Sequence, residues 1–436
     1  MKKKLKNVFI NEDYKEILNK GFSFLILRIG GLFLGYIFTL LIAREYGASV
    51  LGLISLSFTL IMCLSIFGRL GIDVNLIPFF SIESNKNDSG LFFKVLLKAF
   101  IFSSLLAFIL YCFKEPIAIK VFKKPQLEPY FFWSAITIPF WTITLVCAGL
   151  FRALKKTTYF AFFNNPGRFS LTLLVFILLF YCFTPDGLTA IKAHFYGIFV
   201  LATVSVYFAS KQFETIKVFP VSNSWLFLRD AFPMMLSGVV IVFLGWIDTF
   251  FLGIYETDST IGIYNVALKI AMLTSFSLQA INSILAPKIA KHHKQSNERE
   301  LKKIIKFATN INFIITLIVV LLIFLFHEFL LGLFGQEFLA GAVILLILCV
   351  GQLINSLSGS VGLIFQMTGH QKIHQNIVLV ALGINIILNS ILTPKYGAVG
   401  AAIATVISMT FWNVYGAIYL KRKMNIVSYF NFKWKR

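Results

Sequence analysis

The sequence predicts an all-α, polytopic membrane protein, with twelve transmembrane helices in two parallel six-helix bundles. Three observations carry this expectation. Only 14% of the 436 residues are charged, against about 25% in soluble domains. The hydrophobic fraction is 58% and the mean hydropathy +0.82. The apolar residues come in runs of about 20, long enough to cross about 30 Å of hydrocarbon as helix. Lipid offers the backbone no hydrogen-bond partners, so only helices or closed barrels span it, and runs of this length exclude barrel strands. The runs lie near 20–43, 50–72, 92–113, 130–151, 167–183, 190–209, 229–254, 261–289, 306–326, 339–366, 375–392 and 397–420. Spans two, eight and ten are long and carry polar residues on one face, as helices that line a cavity do.

The net charge of +21 is topological. Lys and Arg crowd both tails and the loops on the same side of the spans, which places both termini in the cytoplasm. Nucleic acid is therefore not an expected partner, whereas membrane lipids are. The opening MKKKLKNVFINEDYKEILNKG imitates a signal-peptide n-region, but the apolar run after it is too long for an h-region. It reads as an uncleaved cytoplasmic tail. Cys63, Cys112, Cys147, Cys182 and Cys349 all fall in apolar runs without metal-site or redox spacing and read as small hydrophobes.

The chain looks duplicated. Ser49-Val-Leu-Gly-Leu opens span two and Ser259-Thr-Ile-Gly-Ile opens span eight. Thr184-Pro185 follows span five and Thr393-Pro394 follows span eleven, at nearly the same offset. Six spans per repeat give halves of equal orientation, an architecture of transporters with the substrate path between the halves. The expected organisation is a cytoplasmic tail over 1–19, a first bundle over 20–211, a cytoplasmic linker over 212–224, a second bundle over 225–420 and a basic cytoplasmic tail over 421–436.

Three stretches carry a family resemblance: LIAREYGASVLGLISL from Leu41, DTFFLGIYETDSTIGIYNVALKI from Asp248, and TPKYGAVGAAIATVIS from Thr393. In this order and spacing the chain resembles the polysaccharide-flippase branch of the multidrug/oligosaccharidyl-lipid/polysaccharide exporter superfamily. The resemblance implies two six-helix bundles forming a V around a central cavity. It also implies a polyprenyl-diphosphate-linked sugar as substrate and a bacterial inner membrane as location. Independently of the family, Gly400, Ala401, Ala402 and Ala404 give span twelve a small-residue face for close helix packing.

A diphosphate head group needs a polar, cationic route, while a polyprenyl tail can stay in lipid. Arg28 and Lys269 each sit about 8 residues into their spans, roughly 12 Å from the helix end. A cation at that depth needs water or a partner, and the two spans belong to different halves. Substrate phosphate is the functional partner; an internal ion pair or snorkelling is the alternative. Arg69 lies four residues before Asp73, so an i,i+4 pair competes with substrate contact. Arg44-Glu45 reads as a surface or loop-fixing pair. Arg152, Lys155, Lys156 and Arg168 read as topology signals or anionic-lipid contacts.

Asn385 and Asn389 share one face of span eleven, and Thr405 and Asp248 fall at similar depth in spans twelve and seven. Hard oxygens at one depth suit a small cation. The set resembles the sodium site of murein-precursor flippases, with Asn389 where that site has a carboxylate. Sodium binding, proton titration at Asp248 and a structural hydrogen-bonded cluster all remain open. His370 and His374 are i,i+4 without a nearby carboxylate, a weak metal signal.

The expected function is a flippase moving a polyprenyl-diphosphate-linked oligosaccharide to the outer leaflet by alternating access, for O-antigen or capsule synthesis. Its partners would be the lipid-linked oligosaccharide and, functionally, a glycan polymerase and glycosyltransferases. No cofactor is expected beyond Na⁺ or H⁺ as coupling ion, because no Walker loop is present. The alternatives are an ion-coupled drug/cation antiporter of the same superfamily and, further off, a membrane glycan polymerase or ligase. An enzyme is disfavoured by short outer loops and by the lack of any nucleophile–base or paired-carboxylate pattern.

Overall fold

The computed structural model describes residues 12–80, 82, 85, 87–216 and 223–431, with side chains from residue 26 onward. The expected start of the N-terminal tail, part of the linker and the last five residues lie outside the described residues. Among the described residues the regular structure is helical: α1 Glu12–Gly68, α2 Ile72–Phe80, α3 Ser89–Pro116, α4 Leu127–Ala153, α5 Thr157–Asn164, α6 Pro166–Cys182, α7 Thr189–Ser210, α8 Ser224–Tyr255, α9 Asp258–Met272, α10 Ser275–Lys294, α11 Glu298–Gly332, α12 Ala342–Ser358, α13 Val361–Met367 and α14 Gln371–Met424.

Two of these helices hold two spans each. α1 turns at Gly47 (φ 76°) and α14 at Gly397 (φ 59°). Both are left-handed positions that cost an L-residue with a Cβ. Eight helices are long and apolar enough to cross a membrane, and two bent pairs, α5–α6 (47°) and α9–α10 (45°), qualify together. Dividing α1 and α14 at their glycines brings the twelve predicted spans into register with the helices. The sequence reading treated spans eight and ten as continuous; both are broken, span eight between Met272 and Ser275 and span ten at Gly359 (φ 77°).

By contact the chain forms two compact units. One comprises Leu60–Val239 with the described residues before Thr39; the other comprises Thr39–Thr59 with the described residues from Val240 onward. In the first, α4 is the centre and is buried along nearly its whole length. Its aromatic side chains interlock with α7, as where Phe140 meets Phe199 edge-on at 5.0 Å, and such pairs contribute about 0.5–1.5 kcal/mol beyond their buried area. In the second, Leu285, Ile289, Leu301, Ile305, Ile364, Phe365 and Leu420 form one buried cluster.

Thr39–Thr59 joins the second unit through backbone approach. A Cβ on Gly52 would lie 1.9 Å from the Asp258 carbonyl oxygen, and one on Gly262 would lie 2.1 Å from that of Ala48. Only glycine allows this, and close packing of small residues holds helices together where lipid removes the hydrophobic drive. Glu337 accepts a hydrogen bond from the Ala48 amide (2.6 Å) just after the Gly47 turn. The expected Arg44–Glu45 pair is not what fixes this turn. Adjacent helical residues point apart, and Arg44 instead donates to the carbonyls of Leu333 (2.5 Å) and Gly332 (3.3 Å) at the end of α11, where a cation suits the helix C-terminus. Elsewhere α11 presents Leu321, Leu322, Phe324, Leu325 and Phe329 outward, a surface fit for lipid. Cys112 and Cys182 are likewise exposed, while Cys147 and Cys349 are buried; all five cysteines are free.

Candidate functional site

Asp248 lies on the second half of α8 and is 7% exposed. Its Oδ1 accepts from Asn389 Nδ2 (2.9 Å) and its Oδ2 from the Tyr264 hydroxyl (2.7 Å) and, at closer range, from Thr405. Asn389 Nδ2 also reaches Asn385 Oδ1 (3.0 Å), and Asn385 Nδ2 donates to Ser408 Oγ (3.1 Å). Thr393 Oγ1 donates to Asn389 Oδ1 (2.9 Å). All four residues predicted for this cluster therefore meet. The sequence reading missed Tyr264, Thr393 and Ser408. Thr393 extends the Asn385–Asn389 series by one more i,i+4 step, a signal present in the sequence. Tyr264 carried none, since its hydroxyl reaches Asp248 only through the packing of α8 against α9.

A carboxylate is costly to bury unless its oxygens are hydrogen-bonded, and charge-assisted bonds from three donors meet that cost. The donor set also fits a small hard cation. Asp248, Asn385, Asn389 and Thr405 offer five side-chain oxygens within one cluster. In the present arrangement Asn389 turns its N–H toward Asp248, so a cation would require that amide to rotate its oxygen inward. A proton would require only that Asp248 become a donor. Among the described residues no three His, Cys, Asp or Glu side chains gather as a metal site.

The predicted cations divide between the units. In the first, Arg28 is exposed and lines a cavity of about 330 Å³ with Arg152, Phe160, Ala161, Asn164 and Asn165. The Arg152 guanidinium lies over the Phe160 ring at 5.4 Å. The sequence assigns Arg152 to topology or anionic-lipid contact; the turn from α4 into α5 and α6 brings it to the same cavity as Arg28. Two guanidinium forks and two amides suit a phosphate or diphosphate. Arg69 bonds Asp73 at 2.7 Å, around the turn between α1 and α2. In the second unit, Lys269 Nζ donates to the Thr39 hydroxyl.

Arg168 departs from its expected place among surface charges. It is 7% exposed, its Nε donates to His194 Nε2 (2.8 Å), and its guanidinium lies 5.4 Å from the Trp141 ring and 5.0 Å from that of Phe169. Gly197 lets α7 approach the α6 backbone at Leu171 and Thr172, and Gly167, next to Arg168, packs against Leu201 of α7 and Phe162 of α5.

Residues 17–293 match the family described as "Polysaccharide biosynthesis protein", and residues 233–391 match the MatE family. A probable low-salt glycan biosynthesis flippase, Agl15, of Haloferax volcanii is 26% identical over 185 residues, 42% of this chain and 39% of that protein. The capsular polysaccharide biosynthesis protein CapF of Staphylococcus aureus is 30% identical over 151 residues, 34% of this chain and 38% of that protein. The matched region thus spans under half the length of either relative. The lipid II flippase MurJ in an inward closed conformation superposes with a TM-score of 0.76 at 16% identity, over 93% of this chain and 87% of that one. An inward-facing multidrug resistance MATE transporter of the MOP superfamily gives 0.72 at 17% identity, over 92% and 98%. These likenesses fix the fold as that of a multi-pass α-helical membrane protein, and the sequence match over more than half of its length places the chain in the polysaccharide biosynthesis protein family.

Proposed function

We propose that this protein is a flippase that carries a polyprenyl-diphosphate-linked oligosaccharide from the cytoplasmic to the outer leaflet by alternating access, for assembly of a surface polysaccharide such as O-antigen or capsule. The observation that carries the proposal is the pairing of Arg28 with Arg152 at one cavity, in a chain of the polysaccharide biosynthesis protein family. An anionic head group supplies the partner that an arginine inside an apolar span requires. Arg69 adds a cation in the first unit, partly neutralised by Asp73, and Lys269 one in the second. Both termini lie in the cytoplasm of a bacterial inner membrane, and a polymerase and glycosyltransferases act before and after the flippase.

Coupling to Na⁺ or H⁺ at Asp248 supports net movement, because a ligand shifts a conformational equilibrium by its differential affinity for the two states. The test is glycan export in cells lacking the flippase. Wild type restores surface glycan, whereas Arg28→Ala and Arg152→Ala do not, at equal protein level. Full restoration by both variants contradicts the proposal. The match to the MatE family over 233–391 favours one second reading, an ion-coupled drug/cation antiporter. That reading requires efflux of a cationic dye, which the flippase reading does not.

A further inference from the structure

A second cavity, of about 290 Å³, lies wholly within the C-terminal unit. Its polar wall is Asn282 from α10, Asn355 from α12, Gln366 from α13, His374 and Asn413 from α14, with Trp412 beside them. Not one lining residue is Lys, Arg, Asp or Glu. The wall therefore offers no countercharge to a diphosphate or to a cation. Carboxamides each carry donors and an acceptor, the pairing that vicinal hydroxyls need. Part of that capacity is already used: Asn282 Oδ1 accepts from Ser360 (2.5 Å), and Asn413 Nδ2 donates to the Met409 carbonyl (3.0 Å). The Asn282 N–H groups and the Asn413 oxygen remain for a ligand. Trp412 and His374, their rings 6.0 Å apart, add an aromatic flank for the C–H face of a sugar ring.

The backbone points the same way. Span ten breaks at Gly359, beside this cavity. Irregular backbone at membrane depth persists only where it is buried in protein or lines a polar cavity, and interrupted helices mark substrate sites in transporters. The break is fixed from behind by the segment after α14. Phe430 N donates to the Leu357 carbonyl (2.8 Å) and Thr309 Oγ1 to that of Ser428 (2.8 Å). The absent Cβ of Gly359 admits the Ser428 oxygen, which would lie 2.2 Å from it. The cavity is thus preformed. Its volume sits at the lower edge of ligand sites, about 300 Å³, which suits one sugar residue.

We infer that this amide-lined cavity binds a neutral sugar residue of the transported glycan, separately from the arginine cavity that takes the diphosphate. The inference rests on the flippase reading. To test it, a benzophenone amino acid replaces Leu363, which lines the cavity, or Phe160, which lines the Arg28 cavity, or exposed Leu322 on α11 as control. The protein is irradiated in cells whose own lipid-linked glycan carries tritiated sugar. The expected result is labelled adduct at Leu363 and Phe160 but not at Leu322. Adding Asn355→Leu or Gln366→Leu should lower the Leu363 adduct by about three- to tenfold, what one net hydrogen bond is worth, and leave the Phe160 adduct unchanged. The unchanged Phe160 adduct shows that these variants still fold. Adduct at Phe160 with only control-level label at Leu363, or a Leu363 adduct indifferent to both substitutions, overturns the sugar site and leaves the flippase reading standing. Control-level label at both positions overturns both.

Discussion

Tyr264 gives its hydroxyl hydrogen to Asp248 Oδ2 across 2.7 Å, joining α9 to the buried carboxylate of α8. Thr405 of α14 uses the same oxygen, so one carboxylate ties three helices together. An ion that competes for that oxygen must change how the three helices are held, which is what a coupling site has to do.

The first prediction concerns that site. In proteoliposomes under an imposed Na⁺ or H⁺ gradient, Asp248→Asn should transport without responding to the gradient. Tyr264→Phe should still respond, but at a shifted ion concentration, because one of three donors to the carboxylate is gone. A wild-type response from both variants would make the cluster purely structural.

The second concerns the cations. Lys269→Ala and Arg28→Ala should each abolish glycan export at unchanged protein level. Arg28→Lys should restore part of it, since charge survives but the planar fork does not. Equal export by Arg28→Lys and Arg28→Ala would remove charge from the account. Surface-glycan immunoblots beside protein blots make the comparison.

The third concerns packing. Gly52→Ala places a methyl group where the Asp258 carbonyl stands and should destabilise the protein by about 1–3 kcal/mol, as overpacking does. Gly245→Ala on α8 meets nothing within 4 Å and should be neutral or stabilising by up to about 1 kcal/mol from helix propensity. Thermal unfolding in detergent separates the two. Equal melting temperatures would mean that the Gly52–Asp258 approach does not hold Thr39–Thr59 in place.

The fourth concerns topology. A reporter fused after Arg436 that is active only in the cytoplasm should be active, as should one in the loop 295–297 between α10 and α11. Periplasmic activity at either position would reverse the orientation read from the basic residues.

The fold was legible in the sequence because lipid imposes one constraint everywhere: each span must be a long apolar helix. The Asp248 cluster was legible because i,i+4 spacing puts Asn385 and Asn389 on one face. What the sequence hid lies in three dimensions. Arg152 joins Arg28 through the α4–α6 turn, and Arg168 turns inward to His194 where Gly197 lets α7 meet the α6 backbone. The break in span ten was hidden as well. Gly359 stands in an ordinary Ser-Gly-Ser sequence, and only the docking of Ser428 and Phe430 shows why it is needed.

The most direct measurement is flipping by the purified protein. Proteoliposomes carry tritiated lipid-linked oligosaccharide in both leaflets, and an added glycosidase that cannot cross the bilayer trims the outer-leaflet glycan. With wild-type protein, nearly all of the label should become accessible over time, against about half in protein-free vesicles or with Arg28→Ala, because a lipid-linked glycan does not cross unaided. Accessibility that stays at the protein-free level with wild-type protein, while the same vesicles transport a cationic dye, would contradict the flippase account and favour the antiporter.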